Sequence, residues 1–260
     1  MAVEQQLWGS ETSKAIDNFP VSGERVPTAV VRMLGHVKAA AARANGELGL
    51  LDASIAERIA AAGDEIARGE HDEQFPIDVF QTGSGTSSNM NSNEVIAALA
   101  GDGAHANDHV NMGQSSNDVF PSAVHLAAVS EAQGKLLPAL EKLSGALEAK
   151  ADAWRDVVKA GRTHMMDAVP VTLGQEFGGY AAQIHLGRER VQAALPRAAQ
   201  IPLGGTATGT GLNTHPESAA RVREKLREAT GIDVEGPADP FEAQANRDSL
   251  VELSGALKVV

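Results

Sequence analysis

Apolar side chains recur every three or four positions over much of the chain, and this spacing constrains the fold more than any other feature of the sequence. The positions that keep the period are Phe120, Val124, Ala127, Leu136, Leu140, Leu143, Leu147, Leu173, Phe177, Tyr180, Ile184, Val191 and Leu195. Such spacing places the side chains on one face of an α-helix. Because a helix buries an apolar face against other helices, the pattern predicts an all-α fold with long packed helices.

Two shorter amphipathic helices are predicted ahead of these stripes. The first begins near Pro27, a favoured residue in a first helical turn, and ends near Asn45–Gly46. The second begins at the predicted N-cap Asp52 and ends at Gly69. The segments predicted to lack regular structure are residues 1–26, 70–94 and 204–211.

The change of pattern near residue 114 predicts two domains: an N-terminal domain at 1–113 and part of a helix bundle at 114–260. Pro138 is expected to kink or split the first long helix. The helical period then holds to the last residue, through Leu250, Leu253, Leu257 and Val260, with no stop signal after it. We expect from this that the chain is truncated, and a natural terminal helix is the alternative.

Composition excludes several kinds of partner. The chain has 22 Lys and Arg against 34 Asp and Glu, for a net charge of -12, which disfavours binding to nucleic acid or anionic membranes. It has no cysteine, which excludes disulfides, cysteine-ligated zinc and iron–sulfur ligation. The chain contains no apolar run of about 18 residues, the length that a membrane span requires. Its first residues, Met1–Lys14, lack the apolar core of a signal peptide. We therefore expect a cytoplasmic protein.

Four segments concentrate small polar donors. They are residues 81–91, residues 105–118, residues 161–167 and residues 204–213. A loop rich in Gly, Ser, Thr and Asn usually only forms turns. Four such segments in one chain, two of them leading into helices, favour binding of a carboxylate or phosphate, because helix N-termini stabilise anions.

Known phosphate and hydrolase motifs fit these segments poorly. Gly83-Ser-Gly85 lacks the third glycine of a dinucleotide fingerprint, and Gly205–Gly211 is not followed by the Lys-Ser or Lys-Thr of a Walker A loop. The histidines lack the spacing of a zinc hydrolase, so no metal site is predicted. His164, beside Thr163, is the candidate general acid or base. The alternative is a structural histidine.

Together and in this order, the four segments resemble the fumarase/aspartase superfamily from about Thr12 to Val260. Within it the chain is similar to class II fumarases, since Ser116 stands where aspartate ammonia-lyases carry threonine and His164 stands where they carry glutamine. Residues 166–180 resemble actinobacterial fumarases in particular. The resemblance implies a fumarase/aspartase-like N-terminal helical domain followed by part of a long central helix bundle. It also implies reversible hydration of fumarate to (S)-malate in the tricarboxylic acid cycle, with no metal or organic cofactor.

The resemblance also implies which side chains hold the substrate. Ser84 and Thr86 would bind one of its carboxylates. Ser115, Ser116 and Asn117 would hold it from the start of the first bundle helix. The partners implied are therefore fumarate and malate.

The resemblance implies a homotetramer whose active sites are shared between subunits, and it assigns further residues to those sites. Thr163 would bind substrate, and His164 would position or activate the water, both coming from another subunit. A second, peripheral dicarboxylate site would comprise His105, Asn107 and Asp108.

Two departures from the family's pattern stand out. Ala106 replaces the usual proline and is expected to loosen the surrounding loop. The family's signature loop, Gly-Ser-Ser-x-x-Pro-Gly-Lys-x-Asn-Pro, is absent from these 260 residues, so the chain alone is expected to be inactive. That loop carries the family's proton-abstracting serine and a substrate-binding lysine. The alternatives left open are another lyase, such as an aspartate ammonia-lyase, and a catalytically silent structural protein that keeps the lyase helices.

Overall fold

The structure is a computed structural model that describes residues 6–260, and most of these residues lie in helices. The helices are α1 Ser10–Asn18, α2 Thr28–Glu47, α3 Ala53–Arg68, α4 Thr86–Ala100, α5 Ser116–Glu131, α6 Leu137–Ala153, α7 Leu173–Ala198, α8 Ser218–Thr230, α9 Pro240–Ala245 and α10 Asp248–Val259. The strands are β1 Val158–Thr163 and β2 Met166–Thr172. The predicted all-α class is confirmed, with a small hairpin added. Within residues 6–260, no helix combines the length and apolar character needed to cross a membrane.

Contacts within the chain define two compact units. The first runs as far as Val129 and resumes at Ala199–Arg247, and the second comprises Ser130–Ala198 and Asp248–Val260. These units divide the chain elsewhere than the boundary predicted between residues 113 and 114. The predicted boundary separates two domains, and contacts within this chain do not test it, so it stays a prediction.

Helices α2 and α3 pack closely against each other in the first unit, and both match their predictions. Asp52 caps α3 by accepting hydrogen bonds from two backbone N–H groups of its first turn. Gly69 ends α3 in the left-handed conformation, with φ 80°. The helices meet at two glycines, since a Cβ added to Gly35 would lie 2.6 Å from the carbonyl oxygen of Gly63. Glycine is therefore needed where the two backbones touch.

Helices α1 and α4 overturn two predictions of irregular structure. α1 lies within residues 1–26, of which residues 1–5 are outside the described part, and α4 begins within residues 70–94. The apolar period fails for α4 because this helix buries polar side chains: Ser88, Asn91 and Asn93 are at most 4% exposed. A buried polar face leaves no stripe for sequence periodicity to detect.

A single carboxylate fastens α1 to α4. Glu94 accepts hydrogen bonds from the backbone N–H groups of Gly9, Glu11 and Thr12 at 3.0–3.1 Å. It also accepts from the Thr12 hydroxyl at 2.6 Å. The N–H groups at the start of a helix have no partner within it, and Glu94 supplies one while matching the helix dipole.

In the second unit, α7 packs against both α6 and α10. The buried apolar residues of these helices are Leu140, Ala181, Val191, Ala194, Leu195, Ala198 and Leu253. A π-helical turn at Ala132–Leu136 precedes α6, and Pro138 lies in the first turn of α6. Leu136 and Leu137 keep helical backbone angles, so the chain stays helical and the kink or split expected near Pro138 takes the form of this π-helical turn.

Strands β1 and β2 form an antiparallel hairpin that the apolar spacing did not predict. Thr163 pairs with Met166, so only His164 and Met165 form the turn. Their φ angles are 51° and 59°, as a type I′ turn requires at both central positions. Asn-Gly is the usual sequence for this turn, and its absence explains why the hairpin was missed.

Candidate active site

The loop before α4 folds back onto the N-terminus of that helix. Gln81 accepts from the backbone N–H of Ser88 at 3.0 Å and donates to its hydroxyl at 2.8 Å. The chain enters α4 through Gly85, whose φ is 73°. The Ser84 and Thr86 hydroxyls flank this glycine with their oxygens 2.7 Å apart. One hydroxyl donates to the other, so the pair keeps one O–H for a ligand at the positive end of the helix dipole.

Side chains of Ser115 and Asp118 cap the N-terminus of α5. The Ser115 hydroxyl accepts from the backbone N–H of Asn117 at 3.3 Å, and Asp118 Oδ1 accepts from the backbone N–H of Ser115 at 3.0 Å. Ser116 is the first residue of the helix. The predicted donors Ser115, Ser116 and Asn117 thus stand at a second helix N-terminus, where a carboxylate is stabilised.

The N-termini of α4 and α5 are neighbours. Asn89 Nδ2, in the first turn of α4, donates to the Ser116 hydroxyl oxygen at 3.1 Å. Gly85 approaches the Phe120 ring so closely that an added Cβ would lie 2.2 Å from the ring carbon Cδ1. The structure therefore brings the two predicted carboxylate-binding segments together, although they are separated in the sequence.

Asp118 joins α5 to the glycine- and threonine-rich loop, a contact that the sequence did not reveal. Its Oδ2 accepts from the backbone N–H groups of Gly204 and Thr206, each at 3.0 Å. Asn117 Nδ2 donates to the carbonyl oxygen of Ala207 at 2.9 Å. These bonds hold Thr206 at φ 54°, which is rare for a β-branched residue. Burial raises the pKa of Asp118, whereas the three backbone donors favour its carboxylate.

A buried lysine lies beside the same segment, and the sequence reasoning missed it. Lys38 of α2 is 0% exposed, and its Nζ lies 2.9 Å from both Asn111 Oδ1 and Gln114 Oε1. Burial lowers the pKa of the Lys38 ammonium to about 7, and the negative charge of Asp118 acts in the opposite direction. The available signal was a lone charge within a run of valine and alanine.

Thr163 and His164 lie in the hairpin of the second unit. Thr163 ends β1, His164 begins the turn, and both side chains are exposed. Arg162 and Asp167 form an ion pair of 3.1 Å across the strands next to the turn. The structure describes His164 within its own unit, so its part in a shared site stays a prediction.

His105, Asn107 and Asp108 lie together in one exposed turn of the first unit. His105 Nδ1 accepts a hydrogen bond from the backbone N–H of Asp108 at 3.1 Å. The same nitrogen lies 3.1 Å from Asp108 Oδ2. The backbone N–H of His105 donates to His109 Nδ1 at 3.0 Å. The turn is closed by its own hydrogen bonds despite Ala106. Its role as a second dicarboxylate site stays a prediction.

Glu65, Glu70 and His71 form a group of potential metal ligands in the described part of the chain, with ligand atoms within 4.8 Å of one another. These side chains already have protein partners. His71 Nε2 lies 3.0 Å from Glu65 Oε2, and Arg68 pairs with Glu70 at 2.6 Å. The contacts account for the cluster without an ion.

The helical fold agrees with the comparisons with known proteins. The chain belongs to the lyase family, which matches it over residues 2–260. Its relatives include two class II fumarate hydratases. That of Corynebacterium efficiens is 57% identical over 260 residues, covering 98% of this chain and 55% of that protein. That of Mycobacterium tuberculosis is 56% identical over 258 residues, covering 98% and 54%.

Solved structures agree with this assignment. The class II fumarase of Schistosoma mansoni has a TM-score of 0.96 at 34% identity, covering 100% of this chain and 60% of that one. A fumarate lyase:delta crystallin of Brucella melitensis, bound to cobalt, has a TM-score of 0.92 at 41% identity, covering 97% and 57%. The chain spans about half the length of the curated relatives it matches.

Proposed function

We propose that these 260 residues supply carboxylate-binding donors and the water-handling histidine of a class II fumarate hydratase, which interconverts fumarate and (S)-malate. The observation that carries the proposal is the convergence of the α4 and α5 N-termini. The side chains gathered there are Ser84, Thr86, Ser115, Ser116 and Asn117. The high identity to fumarate hydratases supports fumarate as the substrate among those of the lyases.

The chemistry of the reaction suits such a site. Fumarate and malate are dianions, and the chain has a net charge of -12, so attraction must come from local donors. When malate loses the proton beside a carboxylate, further negative charge develops on that carboxylate. Fixed hydroxyl and amide donors at helix N-termini stabilise this charge without having to reorganise.

His164 is proposed to position or activate the water, with Thr163 as a neighbouring substrate donor. Their exposure at the tip of a hairpin supports a role toward a second copy of the chain. We accordingly propose a cytoplasmic homotetramer with shared active sites. The resemblance assigns proton abstraction to a serine that these 260 residues do not contain. We therefore expect the 260-residue chain alone to show no turnover.

The test is a chimera in which the Corynebacterium efficiens residues that follow the matched region are joined after Val260. Turnover is followed by the ultraviolet absorbance of fumarate. The chimera should interconvert fumarate and malate, and His164→Asn should lower its turnover by roughly 10²–10⁴-fold, the usual contribution of a positioned acid or base. Asparagine tolerates the φ of 51° at this position, so the hairpin turn is kept.

His71→Asn is the matched control, because this histidine bonds Glu65 and belongs to none of the four donor segments, and it should leave turnover within about twofold. Turnover of His164→Asn within about threefold of the parent chimera would show that His164 is structural. Release of ammonia from aspartate, at a rate comparable to malate dehydration, would favour an ammonia-lyase instead.

A further inference from the structure

Lys38 heads the fully buried side chains by volume in the described part of the chain. Its Nζ has two neutral amide oxygens as hydrogen-bond acceptors, those of Asn111 and Gln114. Desolvating an ammonium costs several kcal/mol, and apolar replacement of buried charges is often neutral or stabilising. Stability alone therefore does not account for a lysine at this position.

The lysine fixes the orientation of the two amides that face it. An ammonium only donates, so Asn111 and Gln114 must turn their carbonyl oxygens toward Nζ. Their NH₂ groups are then directed to backbone carbonyl oxygens. Asn111 Nδ2 donates to Gln114 at 3.3 Å, and Gln114 Nε2 donates to Val110 at 2.9 Å.

This orientation is passed on to Asn89 and Ser116. Asn111 Oδ1, which faces Lys38, also accepts from Asn89 Nδ2 at 3.1 Å. The same Nδ2 donates to the Ser116 hydroxyl oxygen at 3.1 Å. Because Ser116 accepts this bond, its own O–H proton stays available to donate to a carboxylate.

Asn89 leaves an oxygen unsatisfied in this arrangement. Its Oδ1 is buried without a hydrogen-bond partner among the described residues, and the residue is 1% exposed. With its amide reversed, Asn89 could accept from the Ser116 hydroxyl, but its oxygen would then oppose Asn111 Oδ1. Since an unsatisfied buried acceptor is unfavourable, the neighbours must impose the orientation, and they do so through Asn111, which is held between Lys38 and the Gln114 carbonyl oxygen.

We infer that Lys38 is a positioning residue of the proposed site, setting a relay through Asn111 and Asn89 that keeps the Ser116 hydroxyl as a donor to the substrate. The inference rests on the proposed function for the identity of that substrate. In Lys38→Met, Asn111 loses its charged partner and keeps only the 3.3 Å bond to the Gln114 carbonyl oxygen, so its amide can turn around. Ser116 then donates to Asn89, and its proton is no longer offered to a carboxylate.

A double-mutant cycle between Lys38→Met and Ser116→Ala in the chimera tests this relay. Lys38→Met should raise KM for fumarate roughly tenfold with kcat changed less than about threefold, as expected when a binding donor is lost. In the Ser116→Ala background, Lys38→Met should raise KM for fumarate by less than about a further twofold. Lys38→Arg keeps the donors and should recover much of the affinity, and Val37→Ala, a buried apolar neighbour, controls for stability. Additive effects of Lys38→Met and Ser116→Ala would overturn the inference.

A second measurement does not depend on catalysis. In the 260-residue chain, NMR-detected exchange of the Asn89 side-chain amide protons should become roughly tenfold faster in Lys38→Met than in Val37→Ala. Asn111→Ala interrupts the same relay and serves where Lys38→Met does not fold. Unchanged Asn89 exchange in the folded variant would overturn the relay. If Asn89 exchange is faster in Lys38→Met but the parent chimera shows no fumarate turnover, the relay is supported and the proposed function is refuted.

Discussion

Replacing Gly85 by alanine should strongly destabilise the entrance to α4. At a φ of 73°, a Cβ costs about 1–2 kcal/mol. The added Cβ would also lie 2.2 Å from Cδ1 and 2.3 Å from Cγ of Phe120, so the ring must move within packed surroundings. Overpacking of this kind costs about 1–3 kcal/mol. The expected total is about 2–5 kcal/mol, a large part of the roughly 5–15 kcal/mol that stabilises a typical domain.

Urea unfolding followed by far-ultraviolet circular dichroism measures this effect, with Gly83→Ala as the matched control. A Cβ added to Gly83 meets no atom within 4 Å, so its free energy of unfolding should change by less than about 1 kcal/mol. In a Phe120→Leu background the penalty of Gly85→Ala should shrink, because the clashing ring is gone. Equal unfolding midpoints for the two glycine variants would refute the steric and conformational reasoning.

Two further predictions concern a donor and a titrating carboxylate. In the chimera, Thr86→Val keeps the shape but removes the hydroxyl that bonds Ser84, so transition-state binding should weaken by about 1.5–3 kcal/mol; unchanged catalytic efficiency would make Thr86 a turn former. Desolvation favours protonated Asp78, but hydrogen bonds from three backbone N–H groups and one hydroxyl outweigh it and lower the pKa of Asp78 to about 2, from 3.8. Its stabilisation is therefore full above about pH 4 and lost as the pH falls through about 2. The unfolding free-energy difference between wild type and Asp78→Asn should stay constant from about pH 7 to about pH 4 and narrow below; a difference that stays constant below about pH 3 contradicts the assignment.

The elements that sequence reasoning predicted are those whose stability is local. Helix α3 has an apolar stripe, an N-cap at Asp52 and a C-terminal Gly69, and its observed ends follow these signals. Helix α4 also ends at a glycine, Gly101, but it has no capping side chain and no apolar stripe, since it buries serine and asparagine. A helix whose buried side chains are polar has no periodic apolar signature, and its packing depends on partners outside the helix, as when Asn91 donates to the carbonyl oxygen of Gln74.

The candidate site divides in the same way. The donor segments were predictable, because small hydroxyl and amide residues cluster in short runs ahead of helices. The side chains that fix them were not. Lys38 acts from another helix, and Asp118 binds a loop that begins at Gly204. Neither contact follows from local spacing, because each depends on how separate segments pack.

The bond between Asp118 and Gly204 also has a consequence for the order of folding. It spans 86 positions, and closing a flexible loop of that length costs about 4 kcal/mol of chain entropy. During synthesis, α2–α5 are complete long before the loop that completes the Asp118 clamp has been made. We therefore expect the turn that carries Ser115, Ser116 and Asn117 to reach its final conformation late, well after the first helices have paired. In refolding experiments, recovery of ligand binding should lag behind recovery of helical signal.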